Sequence, residues 1–313
     1  MSERLLLPSQ IPEALWKDAQ LLRLCPCLAE SYRSVLESAG LLNHALKATS
    51  AGDIGGETAY ETNKHFTQSF SGSCGRVQLA MLDPHEKLEE ASNLFIKAFS
   101  GGKVGLLDVP CGSGAASVSI LATIAALRRN EVIPRTPLDI SLVAGDIAAT
   151  ARDNASRMIE ALRPSLKDQA IFINARFVDW DVLSSGSTIN LLHAWMEHTP
   201  DCREYFVITA NFSGFLHFER KFQKAQPQLE QVLGWAGARN STVAWIEPQT
   251  NEATGGMWQH FKRLWGLMSF FKAKPDQAAP EPLLSEASME HPLRIGTQHQ
   301  VRLSLVKLAR NTK

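Results

Sequence analysis

The sequence predicts an α/β protein built on a doubly wound, mostly parallel sheet, and three observations point there. From about residue 100 onward, short apolar runs alternate with helical stretches, the signature of βαβ units. One of those runs, Leu106-Leu107-Asp108-Val109, breaks into a glycine-containing turn that opens a helix. The chain closes on two further extended runs around Gly296-Thr297. Together they give seven strands, five parallel and two forming a C-terminal antiparallel hairpin, with a helical segment in front.

The elements follow in order. Between Ile11 and Gly40, Leu15, Leu21, Leu22, Leu24, Leu28, Tyr32, Val35 and Leu36 recur at three- and four-residue steps and predict two helices. Thr49–Gly75 is rich in Gly, Ser and Thr but carries Tyr60, His65, Phe66 and Phe70, and is read as a partly ordered loop. Asp83-Pro84 is expected to open another helix, with Leu88, Ala91, Leu94, Phe95 and Ala98 as its stripe. Ser100-Gly101-Gly102 ends it and sets a boundary near residue 100: residues 1–100 form a helical lid or substrate segment, and 101–313 the sheet domain. Strands are expected at Val104–Val109, Ile140–Gly145, Ile171–Val178, Tyr205–Ala210 and Thr242–Ile246. Helices fall near 115–130, 147–163, 188–197 and 217–236. A long aromatic helix at about 256–272, a Pro- and Ala-rich linker over Lys274–Pro282, and strands at His291–Ile295 and Gln300–Leu308 complete the chain.

Composition narrows the function classes. With 44% hydrophobic and 20% charged residues in 313, the chain is a folding one with room for a large core. Lys plus Arg and Asp plus Glu both number 32, so no net positive field draws it onto nucleic acid without discrimination. Five scattered cysteines, at 25, 27, 74, 111 and 202, predict a reducing compartment rather than a disulfide framework. Cys25 and Cys27 have no clustered His or Cys partner, so no metal site is expected. Without a signal peptide or an apolar run of membrane-spanning length, a cytoplasmic location is expected.

The chemistry concentrates at strand ends. Asp108-Val109-Pro110-Cys111-Gly112-Ser113-Gly114 lets backbone pass close to a ligand. A carboxylate beside that turn suits a positively charged ligand and would repel a pyrophosphate. This run resembles motif I of class I S-adenosylmethionine-dependent methyltransferases, acidic-x-Gly-x-Gly-x-Gly, with Pro110 in place of the first glycine. The resemblance implies a Rossmann-like fold and S-adenosylmethionine as cofactor, with Gly112, Ser113 and Gly114 under its methionine part and Asp108 at its ammonium. It also implies that Asp146, ending Leu142-Val143-Ala144-Gly145-Asp146, accepts the ribose hydroxyls beside Ile147. Asp179 and Trp180 would contact adenine, with Asp181 behind Asp179 in rank.

Thr209-Ala210-Asn211-Phe212-Ser213-Gly214-Phe215 then faces the transferring methyl group. Asn211 and Ser213 are candidates to orient an acceptor, and Phe212 to wall the sulfonium. The segment lacks the Asp/Asn-Pro-Pro-aromatic motif of amino-group nucleic-acid methyltransferases. Glu247, after the fifth strand, is a candidate base or acceptor contact. His65, in the lid, is a candidate acid–base group because its ordinary pKa lies near neutrality. Arg76 is a candidate for the cofactor carboxylate.

The leading expectation is methyl transfer to a small-molecule acceptor, followed by RNA and then protein. RNA would engage the aromatic and basic helix 257–272, with Trp258, Phe261, Trp265, Lys262, Arg263 and Lys272. An NAD(P)-dependent oxidoreductase is the rival, though Ser117 stands where its third glycine belongs. A non-catalytic S-adenosylmethionine-binding module is the other.

Overall fold

The computed structural model describes residues 4–48, 56–218, 220–239, 241–249, 262, 279 and 281–308. Its centre is a sheet of strands β3 (Gly102–Asp108), β4 (Leu138–Asp146), β5 (Ile171–Asp179), β6 (Glu204–Ala210), β7 (Thr242–Pro248), β8 (Leu283–Glu290) and β9 (Gln298–Leu308). Two strands of two residues each, β1 (Trp16–Lys17) and β2 (Leu21–Leu22), extend one edge, so the sheet has nine strands among the described residues rather than seven. The order is β1-β2-β8-β9-β7-β6-β3-β4-β5. Strands β3 to β7 run parallel, and β9 inserts antiparallel between β7 and β8. The chain leaves β3 outward to β4 and β5 and then returns to place β6 on the other side of β3. That reversal opens a crevice at the carboxyl ends of β3 and β6, where ligands of doubly wound sheets bind.

Helices cover both faces. On one lie α1 (Pro26–Ser38), α2 (Leu42–Lys47), α3 (Ala59–Leu82), α4 (Glu89–Ala98), α5 (Ala115–Arg129) and α6 (Ala149–Lys167). On the other, α7 (Ser185–His198), α8 (Ser213–Phe218) and α9 (Phe222–Ala238) bury Trp195, Leu216 and Leu229 against the sheet. The first core is continuous from Leu6 through Phe66 and Phe95 to Leu305, so the N-terminal hundred residues share their buried surface with the sheet.

Four expectations require correction. A single helix, α1, stands where two were expected, because Trp16–Lys17 and Leu21–Leu22 pair as strands. The expected loop at Thr49–Gly75 contains the first part of the 24-residue helix α3, begun by a capping box in which Glu61 N–H donates to Thr58 Oγ1 and Thr58 N–H to Glu61. Asp83 does not open a helix. It closes α3 in the left-handed conformation (φ 44°), its carboxylate accepting from Lys87 N–H and Arg4, and α4 starts at Glu89. The hairpin's first strand is Leu283–Glu290, inward of the expected His291–Ile295, which forms the turn instead because Pro292 has no N–H for a ladder. The expected aromatic helix at 256–272 lies outside the described residues, Lys262 apart. Among the described residues no helix is long and apolar enough to cross a membrane.

Candidate functional site

A cavity of about 320 Å³ opens at the β3–β6 switch point. Its walls come from four strand ends: Pro110–Ser113 after β3, Asp146 and Ile147 after β4, Trp180–Leu183 after β5, and Ala210–Phe212 with Phe215 after β6. Helix α3 supplies the remaining side with Thr62, His65, Phe66, Phe70 and Ser73.

The turn after β3 is held in shape by its neighbours. Cys111 N–H donates to Gly145 O at 2.8 Å, and Gly112 N–H to Asp146 Oδ2 at 2.9 Å. Gly112 has φ +50°, and a Cβ there would project into open space at the cavity wall, so this position needs glycine both for its conformation and for a ligand's close approach. Gly114 (φ +82°) lies outside the lining. It precedes α5, where a Cβ would come within 3.0 Å of Ala155 on α6, so its bareness serves helix packing.

The acids divide by burial. Asp146 lies at the lining with its carboxylate bonded to the N–H groups of Gly112 and, through Oδ1 at 2.9 Å, Ala148. Burial raises its pKa against those hydrogen bonds. Asp108 is set behind the wall: fully buried, it takes the N–H and hydroxyl of Ser117 on Oδ2, and its Oδ1 has no partner. Burial pushes its pKa up to about 7. Asp179 points away, its side chain 73% exposed and paired with Arg152 at 2.9 Å, while Asp181 lines the cavity and caps Leu183 N–H at 2.8 Å. Trp180 is buried in the wall, its indole N–H on Thr188 Oγ1 at 3.1 Å and its ring 6.2 Å from Phe212. Phe212 stacks in turn on Phe215.

After β6 the backbone turns sharply. Asn211 adopts φ +57°, its N–H bonded to Ile246 O at 2.9 Å and its Oδ1 taking Arg76 Nε at 2.9 Å. Arg76 also donates to Ser73 Oγ at 3.1 Å, and burial lowers its pKa to about 10. Arg76 therefore ties α3 to the turn that carries Asn211, and it is absent from the lining. Ser213 and Glu247 lie beneath. Glu247, fully buried, accepts on Oε1 from Phe212 N–H (2.9 Å), Ser213 N–H (2.8 Å) and Trp245 Nε1 (2.6 Å), and burial raises its pKa.

The predicted residues Pro110, Gly112, Ser113, Asp146, Ile147, Trp180, Asn211, Phe212 and His65 thus meet around one cavity. Asp108, Gly114, Ser213 and Glu247 stand behind its walls, and Asp179 outside. Thr62, Val182, Leu183 and Phe215 line it without having been assigned a role, while Ser73 falls in the Ser69–Gly75 segment expected in the lid; the Thr58-x-x-Glu61 capping box was the sequence signal for the start of helix α3 that carries Thr62 and Ser73. Cys25 and Cys27 place their sulfurs 3.0 Å apart and are not part of the cavity lining.

No family model and no curated protein matches the sequence. Among solved structures, a candidate RNA methyltransferase from Pyrococcus horikoshii is similar at 14% identity and a TM-score of 0.31, over 71% of this chain and 83% of that one. A candidate class I S-adenosylmethionine-dependent methyltransferase from Listeria monocytogenes is similar at 11% identity and a TM-score of 0.36, over 91% and 89%. Likeness at this level carries no functional weight, and the fold rests on the strand order itself: five parallel strands with a switch point, closed by an antiparallel hairpin.

Proposed function

We propose that this protein transfers a methyl group from S-adenosylmethionine to a small-molecule acceptor, releasing S-adenosylhomocysteine. The observation that carries the reading is the pairing of Gly112 with Asp146: a bare backbone turn faces the cavity, and its N–H orients a carboxylate at the same wall. A ribose needs such a carboxylate, which keeps lone pairs for two hydroxyls beyond the two N–H groups it already accepts.

The other walls suit the rest of the cofactor. Ile147, Trp180 and Asp181 offer apolar faces and one acid for a purine, and Phe212 offers an aromatic face for a sulfonium. Bound S-adenosylmethionine supplies an activated methyl group, so the chain's own task is mostly orientation and exclusion of water. Asn211, fixed by Arg76, and His65, on the α3 side, are polar lining groups placed to orient an acceptor. In this reading α3 and the segment before it act as the lid. Asp108 acts from behind the turn through Ser117, and Glu247 through the N–H groups of Phe212 and Ser213.

The test is ligand-dependent melting. S-adenosylhomocysteine at a hundredfold excess over its dissociation constant should stabilise the native protein by about 2.7 kcal/mol. Asp146→Ala should remove that shift while the protein still melts cooperatively. An Asp146→Ala protein that responds like the wild type would contradict the reading.

A further inference from the structure

Near Asn211, which Arg76 ties to α3, the helix has a gap in its row of side chains at Gly72. Gly72 sits one helical turn before Arg76, and a Cβ built on it would find two described atoms within 4 Å: Arg76 Nη1 at 3.8 Å and His299 Nε2 at 4.0 Å. A guanidinium and an imidazole from different elements therefore converge over bare helix backbone. His299 reaches this place because β9 runs antiparallel to β7, which puts its first residues at the carboxyl ends of the parallel strands.

The hydrogen-bonding capacity here is unspent. Arg76 uses Nε on Asn211 and Nη2 on Ser73, which leaves Nη1 facing the gap. His299 Nδ1 is buried without a partner. His291 lies 5.9 Å away, ring centre to ring centre; its Nδ1 accepts Leu293 N–H at 3.2 Å, which leaves its proton on Nε2. Arg294 donates through Nη1 to Ala48 O, while its Nε is buried and unpartnered.

The electrostatics are one-sided. Burial first, then Arg294 and the neighbouring ring, pull His291 down to about 4; burial, Arg294 and Arg76 lower His299; and no carboxylate acts on either ring. Of the acids near these elements, Glu247 binds the turn after β6 and also acts on Arg76, and Glu290 pairs with Arg23. Two arginines against the one Glu247 carboxylate, with none acting on either imidazole, leave an excess of positive charge that an arriving anion would offset.

We propose that the gap over Gly72, between Arg76 and His299, is an anion subsite that takes the carboxylate or phosphate of the small methyl acceptor. Its designation as part of the acceptor rests on the methyl-transfer reading; the binding of an anion does not. The reach is that of a small molecule. At 1.5 Å per residue, Gly72 stands about 10 Å along α3 from the cavity residue His65. The anion's partner Arg76 directly holds Asn211 at the cavity wall. Docking would thus fix the far end of an acceptor and steady the asparagine that faces its reacting end.

Inorganic phosphate is the probe, followed by NMR of the histidine rings with and without saturating S-adenosylhomocysteine. The subsite predicts saturable shifts of the His299 signals, with a midpoint that the nucleoside leaves unchanged. Gly72→Ala adds a methyl that makes only ordinary contacts and raises helix propensity, so the variant folds. It should weaken phosphate roughly tenfold or more, as expected for a disrupted charge-assisted hydrogen bond, and keep the melting shift with S-adenosylhomocysteine. Unmoved His299 signals, or equal phosphate binding by Gly72→Ala, would overturn the subsite. Competition between phosphate and the nucleoside would assign the gap to the cofactor's carboxylate and overturn the acceptor assignment. Phosphate binding in a protein that ignores the nucleoside would uphold the anion subsite and remove the methyl-transfer reading instead.

Discussion

Asp108 and Glu247 are fully buried acids outside the cavity lining, each bonding the chain through one carboxylate oxygen. Their burial has a pH signature. Asp108 ionises near its ordinary value of 3.8 in the unfolded chain and near 7 in the folded one. The folded state therefore binds the extra proton between those values, so the contribution to stability is full below pH about 4 and is lost as the pH rises through about 7. The gap corresponds to about 4 kcal/mol at most. Asp108→Asn cannot ionise, and urea midpoints measured from pH 5 to 8 should fall less steeply for it than for the wild type; parallel slopes would refute the raised pKa. Glu247 gives a second contrast. Glu247→Ala strands three buried donors and should cost about 3 kcal/mol or more, whereas Glu247→Gln retains an acceptor oxygen and should lose much less, by urea denaturation.

Residue roles of this kind were only half legible in the sequence. An acid at a strand end is visible, and Asp146 and Asp108 both stand out, but burial decides whether the carboxylate faces the ligand or the chain. Side-chain direction decides the same for Asp179 and Asp181, which are two residues apart and share one local pattern. Asp179 goes to Arg152 and Asp181 to the cavity.

At the level of elements, the parallel strands and their crossover helices were readable because β3, β4, β6 and β7 are short apolar runs largely buried on both faces, while β5 at the sheet edge alternates buried and exposed residues at its start. Helix α3 was not. Its Ser, Thr and Gly content argues against a helix, and packing against α5, β8 and β9 overrides that propensity. The small residues are what make the packing close: a Cβ on Gly75 would come within 2.4 Å of Met289 Sδ on β8. Strand β8 was missed for a related reason, since Ser285, Ala287 and Met289 form its inward face with little apolar bulk. The same closeness governs β4 behind the cavity. A Cβ on Gly145 would lie 2.9 Å from Leu191 Cδ1 and 3.1 Å from both Trp180 Cβ and Val109 Cγ1. Gly145→Ala should therefore destabilise by about 1–3 kcal/mol and, by displacing Trp180, weaken nucleoside binding in calorimetry. Wild-type affinity in that variant would separate Trp180 from the site.

For the molecule as a whole, the sheet's reversal between β3 and β6 creates the crevice, and the N-terminal hundred residues close one side of it. They do so as part of one core, since Leu6, Phe66 and Phe95 pack in the same cluster as Leu106 and Leu305. A fragment beginning at residue 101 should then expose that face, bind hydrophobic dye and melt without cooperativity; a cooperative fragment as stable as the full chain would show a separable domain. In the proposed function the crevice takes an S-adenosyl nucleoside and not a dinucleotide. Titration calorimetry of the full chain with S-adenosylhomocysteine and, separately, with NAD tests it most directly: saturable heat from the nucleoside and none from NAD is the predicted result, and the reverse pattern would contradict it.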